Sequence, residues 1–379
     1  MPTAVISPTS GASNAATAAV TTTPDATGTA TAELNAALEA GDAAGGVTST
    51  LPISGTPAAR VFSTDPDPLQ VPVMRQRSYP GSPITFEQTL APGANYNQYI
   101  VSYISDGYKI YALMTIPMGQ KPATGWPVII FNHGYIPPSL YRTTERYVAY
   151  VDAIARAGYI VFKSDYRGNG YSQGSAAGGG YGSPGYTDDV LNALSSLKAY
   201  KDADPNRIGM WGHSMGGQVT LRAMVVSKDI KAGVIWGGVV APYPNIFARS
   251  TFGRSTGAGS FPAPPPGSPY GGGRNWMAEL TQKYGTVQQN PGFWASIAPN
   301  SYLANLSGPL QLQASITDEE VPVAASETLF AELKAAGKTT ELYTYPNDNH
   351  NISANFNIAM ARSIAWFDQY VKGATAAAN

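Results

Sequence analysis

The sequence predicts an α/β fold built on a doubly wound, mainly parallel sheet. Two observations carry that expectation. Largely apolar runs of four or five residues recur from Val128 onward, and helical stretches alternate with them. Strands apolar on both sides of the chain belong in a sheet covered on both faces, and strand-helix alternation makes such a sheet parallel.

In chain order, residues 1–62 read as a leader. Of the first 60, 44 are Thr, Ala, Ser, Gly or Pro, and no aromatic precedes Phe62, so the segment has too little apolar surface to offset its ordering entropy. It is expected to be disordered; the helical pattern at 31–40 is too short to hold alone. No basic and apolar signal region is visible. Thr/Ala/Pro-rich spacers often lead exported domains, so a secreted or cell-surface protein whose signal has been removed is the expectation. Residues 63–376 read as a single domain.

The domain opens with Tyr99–Ile104 and Tyr108–Ile116 around Ser105-Asp-Gly107, the pattern of a hairpin at an antiparallel edge. The buried strands follow at Val128–Phe131, Tyr159–Phe162, Ile208–Trp211, Ala232–Trp236 and Leu310–Ala314, with a late strand at Thr340–Tyr345. Helices are predicted over Thr143–Ala157, Thr187–Tyr200, Met215–Ser227, Val323–Ala336 and Ile352–Val371. After Trp236 the pattern breaks over about 241–298; within it the Pro- and Gly-rich Ser260–Gly273 fits neither helix nor central strand, and so long a loop in a compact domain is expected to act as a lid or cleft wall.

Composition excludes several functions. With 24 basic and 25 acidic residues, a net charge of -1 and no run of like charge, the chain offers no stripe for nucleic acid. No run of 18 apolar residues predicts an integral membrane segment. Cysteine is absent, so disulfide and thiolate chemistry are excluded.

One motif points to chemistry. Gly212-His-Ser-Met-Gly216 joins a predicted buried strand to a predicted helix, the context in which a G-x-S-x-G serine is lifted onto a sharp turn above the sheet. Ser214 is therefore a candidate nucleophile, and it needs a base. Only three histidines exist. His213 adjoins the serine and points away from it, lining the pocket wall or packing inward; His133 closes a strand and shapes a loop. His350 remains, in a polar loop between the last strand and last helix. Asp318, after the strand Leu310–Ala314 at the carboxyl end of the sheet, is the best group to orient it, with Glu319 and Glu320 as rivals. Asp348 reads as a loop cap. For the oxyanion, the N–H of Met215 and one from the loop after Val128–Phe131, at Tyr135, are the expected donors. Acyl transfer of this kind calls for no cofactor and no metal.

The pieces His133-Gly134, Asp165-Tyr-Arg-Gly-Asn-Gly-Tyr-Ser172, Gly212-His-Ser-Met-Gly-Gly217, Asp318 with Val321-Pro322, and His350 before the last helix resemble the α/β-hydrolase superfamily over about residues 84–372, specifically its prolyl-oligopeptidase-like and dienelactone-hydrolase-like members. The resemblance implies Ser214, Asp318 and His350 as a triad, with Asp165 and Arg167 holding a loop. Those peptidases carry a large β-propeller ahead of the hydrolase domain, and about eighty mostly low-complexity residues stand here instead. The expected function is therefore a carboxylesterase on a small-molecule or polymeric ester; a peptidase on short peptides or a non-catalytic binding module are the alternatives. Tyr135, Trp236, Tyr243, Phe247, Trp276 and Trp294 offer either an aromatic pocket, suited to hydroxycinnamate or polyester substrates, or core packing.

Overall fold

The computed structural model describes residues 62–373, apart from 178, 244–245 and 247–270; for 271–275 it describes the backbone alone. All but the last residue of the expected leader, the 31–40 helix, Phe247 and much of the expected lid lie outside the described residues. The chain divides into the units Met1–Arg60 and Val61–Asn379, and the described residues belong to the second.

Among the described residues nine strands form one sheet: β1 (Thr85–Thr89), β2 (Tyr96–Ser105), β3 (Tyr108–Pro117), β4 (Trp126–Asn132), β5 (Ile160–Ser164), β6 (Ala203–His213), β7 (Gly233–Trp236), β8 (Leu310–Ser315) and β9 (Thr340–Tyr345). Their spatial order is β1-β2-β3-β5-β4-β6-β7-β8-β9. The first three strands and the β3–β5 pair are antiparallel, and every pair from β5 to β9 is parallel. The hairpin between β2 and β3 turns at Asp106 and Gly107, both at positive φ, as a two-residue turn matching strand twist requires.

The helices are α1 (Val71–Gln76), α2 (Val148–Arg156), α3 (Gly185–Lys198), α4 (Met215–Val226), α5 (Gly271–Tyr284), α6 (Pro291–Ile297), α7 (Val323–Ala335) and α8 (Phe356–Phe367), which runs into a π turn at Asp368–Lys372. Two apolar cores cover the sheet. One packs Val128, Ile130, Phe162, Met210 and Ile235 with residues of α3, α4 and α7; the other packs Ile129, Phe131, Trp211 and Trp236 with residues of α2 and α8. Alternate residues of β4 thus enter opposite cores, which is why the strand has no polar face.

Several elements depart from expectation: α1, α5 and α6 stand where no helix was expected, and the α5 backbone begins at Gly271, inside the Pro- and Gly-rich stretch that fitted neither helix nor central strand. The helix predicted from Thr143 starts at Val148, because the Thr143 hydroxyl is drawn to the buried Asp165 carboxylate at 2.6 Å and Arg146 and Tyr147 take left-handed φ of 57° and 55°. Strand β1 escapes a pattern search because all five of its side chains are exposed.

Strand order positions the site. The chain leaves β4 through α2 toward β5 on one side, crosses back through α3 to β6 on the other, and continues through α4 to β7. Loops leaving the adjacent carboxyl ends of β4 and β6 therefore diverge, and such a switch point opens a crevice for ligands.

Candidate active site

Ser214 stands at the end of β6, at the head of α4, with φ 54° and ψ -120°. A side chain tolerates that backbone only when its surroundings over-determine it. The serine N–H donates to the Trp236 carbonyl on β7 at 3.0 Å, and its carbonyl accepts from Gly217 and Val239 at 2.9 and 3.1 Å. The flanking glycines are steric necessities: a Cβ on Gly216 would lie 1.9 Å from the Asn132 carbonyl oxygen, and one on Gly212 2.4 Å from Thr220 Oγ1. Helix α4 is so placed that Met215 presents one of the first-turn N–H groups that a helix leaves without an internal partner.

His350 is buried in the β9–α8 loop, and its Nδ1 lies 2.8 Å from Asp318 Oδ2. Asp318 Oδ1 accepts the N–H groups of Glu320 and Val321, so the carboxylate is fixed at both oxygens. The rivals take other positions. Glu319 Oε2 accepts the His350 backbone N–H at 3.1 Å, and the exposed Glu320 carboxylate stands 3.7 Å from His350 Nε2. Burial opposes charge on His350, but the Asp318 hydrogen bond and charge, with Glu320 and Glu319 behind them, raise its pKa above the ordinary histidine value. Nε2 is buried and has no hydrogen-bond partner among the described residues. Asp348 is the loop cap its sequence position suggests: its carboxylate accepts the N–H groups of Asn349, Ala354 and Asn355, and its carbonyl is held by the hydroxyls of Ser315 and Thr317.

The loop after β4 passes directly beside the serine. A Cβ on Gly134 would fall 3.2 Å from Ser214 Cβ and 2.6 Å from the Tyr147 hydroxyl, so only glycine fits there. The Gly134 N–H donates to Tyr147 Oη at 2.9 Å. Tyr135 follows with its ring 43% exposed. His133 is sealed in, stacked between Tyr141 and Tyr166 with Nδ1 2.6 Å from the Gly134 carbonyl, and burial drives its pKa down to about 3. Behind the loop, Asp165 accepts Tyr141 and Thr143 hydroxyls, while Arg167 grips Asp189.

His213, Trp236 and Tyr243, read from sequence as either pocket or core, take the buried position. His213 is 2% exposed, between the Tyr147 hydroxyl on Nδ1 and the His350 carbonyl on Nε2, and so packs inward rather than lining a pocket wall. Trp236 is fully buried, with its indole N–H on Ser363. Tyr243 is buried with its hydroxyl engaged by Arg222 and the Tyr181 carbonyl. Trp276 and Trp294 are core residues as well. Each aromatic ring brought enough apolar area to be drawn inside. Tyr147, which sequence reasoning passed over, contacts both the loop after β4 and the elbow.

Two family models match the chain: the prolyl oligopeptidase family over residues 270–374 and the serine aminopeptidase S33 family over residues 127–255. The architecture is likewise shared with solved structures. An acetyl xylan esterase from Paenibacillus sp. R4 superposes with a TM-score of 0.56 at 19% identity, covering 78% of this chain and 91% of its own. The Pyrococcus horikoshii acylaminoacyl peptidase gives 0.56 at 22% identity, covering 75% of this chain and 44% of its own. The chain has the α/β-hydrolase fold. The matching families and solved structures include both peptidases and esterases. Curated relatives include the uncharacterised peptidase YuxL of Bacillus subtilis, 28% identical over 275 residues, and mouse dipeptidyl peptidase 8, 25% identical over 255. The chain spans 38% and 25% of their respective lengths. No helix among its described residues is long and apolar enough to cross a membrane.

Proposed function

We propose that the chain is a serine carboxylesterase that works through an acyl-enzyme on Ser214. The observations that support this reading are the fixed His350–Asp318 pair, 2.8 Å apart, the His350 Nε2 that has no hydrogen-bond partner among the described residues, and Ser214 held on a strained turn. His350 takes the Ser214 proton as Oγ adds to the acyl carbon, then returns it to the departing alcohol; water repeats the cycle in reverse. Asp318 holds the Nδ1–H tautomer and balances the charge that develops on the ring. Because the Gly134 N–H is committed to Tyr147, the oxyanion falls to the N–H groups of Met215 and Tyr135.

An ester is favoured because this chain matches 91% of the length of a solved acetyl xylan esterase. The exposed Tyr135 ring beside the oxyanion loop suits aromatic acyl groups such as hydroxycinnamates or a polyester. One observation favours a second reading, cleavage of short peptides or aminoacyl amides. The Glu320 carboxylate near Nε2 would attract an ammonium group next to the scissile bond. Parallel kcat/KM measurements on p-nitrophenyl esters of increasing chain length, a hydroxycinnamate ester and an aminoacyl anilide decide between them. Ester hydrolysis at least a hundredfold faster than anilide cleavage is expected; the reverse ratio, reduced by Glu320→Gln, would establish the peptidase. Export remains part of the proposal, tested by recovery of the protein in the culture medium.

A further inference from the structure

Tyr147, His213 and His350 form a hydrogen-bond chain whose direction is fixed by chemistry. The His350 backbone carbonyl can only accept, so His213 Nε2, 3.1 Å away, carries the hydrogen. With burial driving the His213 pKa down to about 3, the ring is neutral and Nδ1 is a bare lone pair. The Tyr147 hydroxyl, 2.8 Å from Nδ1, must then donate to it and accept from Gly134 with its own lone pair. The run is therefore Gly134 N–H to Tyr147 O–H to His213 to the carbonyl of His350, each link pointing the same way.

We propose that Tyr147 and His213 are positioning residues that hold the oxyanion loop, the nucleophile elbow and the His350 loop in one register. Three loops from three strands meet here. The anchoring of Tyr147 fits the role. It is the second of two consecutive left-handed residues, a backbone that keeps its form only under constraint. The buried Lys163 ammonium supplies that constraint by donating to the carbonyls of Glu145 and Arg146. The phenol ring is further wedged edge-on against Phe131 and Tyr150.

The inference rests on the acyl-enzyme reading, and the experiment separates the two. Wild type is first treated with a fluorophosphonate probe; failure to label Ser214 sinks both ideas. With labelling established, Tyr147→Phe removes one oxygen and leaves the Gly134 N–H and His213 Nδ1 unpaired. Its kcat is expected to fall 10- to 100-fold with KM changed less than twofold, as loosened alignment does. The kinetic pKa of His350 should stay at its wild-type value, since Asp318 is untouched. Tyr147→Phe/His213→Leu should be no slower than His213→Leu, because the two act as one unit. His213→Gln, which keeps a donor and an acceptor, should recover most of what leucine loses. A Tyr147→Phe enzyme within twofold of wild type, a loss confined to KM, or additive losses in the double variant would overturn the positioning role. Should Tyr147→Phe not fold, ¹⁵N spectra of histidine-labelled wild type still decide: a hydrogen on Nδ1 of His213 rather than Nε2 refutes the chain.

Discussion

His350 Nδ1 and Asp318 Oδ2 lie 2.8 Å apart, and the other oxygen of that carboxylate is pinned by two backbone N–H groups. The carboxylate can neither rotate away nor be replaced by Glu319, whose own oxygen holds the His350 backbone. Since the pair raises the His350 pKa against the effect of burial, and the base must be neutral, activity should be full above that raised pKa and lost as pH falls through it. Asp318→Asn should cost about 10⁴ in kcat and move the acid limb of kcat/KM to lower pH. Glu320→Gln should move the same limb in the same direction with little change in the plateau. A limb unmoved in both variants would assign the pH dependence to another group.

Ser214→Ala and His350→Ala should each lower ester hydrolysis by several orders of magnitude. The double variant should be little worse than either, because the two side chains act in one proton transfer. Steady-state rates on a p-nitrophenyl ester check this, and near wild-type activity in either single variant removes that residue from the mechanism.

Tyr135 separates a backbone contribution from a side-chain one. Tyr135→Ala keeps the N–H and should weaken binding of bulky aromatic esters more than of acetyl esters. Tyr135→Pro deletes the donor and should slow every ester by about 10²–10³. Proline also restricts Gly134, so melting and circular dichroism must first show a folded variant. Equal rates for the two variants on a small ester would place the second oxyanion donor elsewhere.

His133 has a folded pKa of about 3 against an unfolded value of about 6.5. Between those values the unfolded chain binds the extra proton, so this residue lowers stability as pH falls from about 6.5 toward 3, by about 1.4 kcal/mol per pH unit. The buried Asp165 and Asp188, both raised to about 6, act in the opposite sense below that pH. The clean measurement is a difference: His133→Asn should be less sensitive to acid than wild type by that slope in denaturant titrations. Parallel stability curves for the two proteins would show that His133 is charged in the folded state.

Much of this molecule was legible in its sequence, for identifiable reasons. Strands buried on both faces leave continuous apolar runs, and the glycines at 212 and 216 betray the elbow because no side chain fits beside Asn132 and Thr220. The position of Asp318 at the carboxyl end of its strand made it the first choice to partner His350, but only the fold separates it from Glu319 and Glu320 in the same loop. What escaped depends on contacts between distant segments. Thr143 has ordinary helical neighbours, and only the buried Asp165 explains why its helix starts later. Trp236 and Tyr243 looked like pocket walls since an aromatic ring reads the same in a cleft and in a core. The link from Tyr147 to His213 spans 66 residues and that from His213 to His350 spans 137, with no local pattern to announce either.

The reversal of strand order between β4 and β6 has a consequence for how such a protein can diversify. The oxyanion loop and the elbow hang from these two central strands and pack against each other within van der Waals distance, so neither tolerates insertion. The segment between Trp236 and Leu310 hangs instead from β7 and returns to the adjacent β8, one strand removed from the elbow. Its first residues are tied to the elbow through the Val239 N–H on the Ser214 carbonyl, and Trp276 and Trp294 anchor its return in the core. Between those two anchorages the sequence can change while the reacting atoms keep their places, so new substrates can be acquired with the chemistry inherited whole.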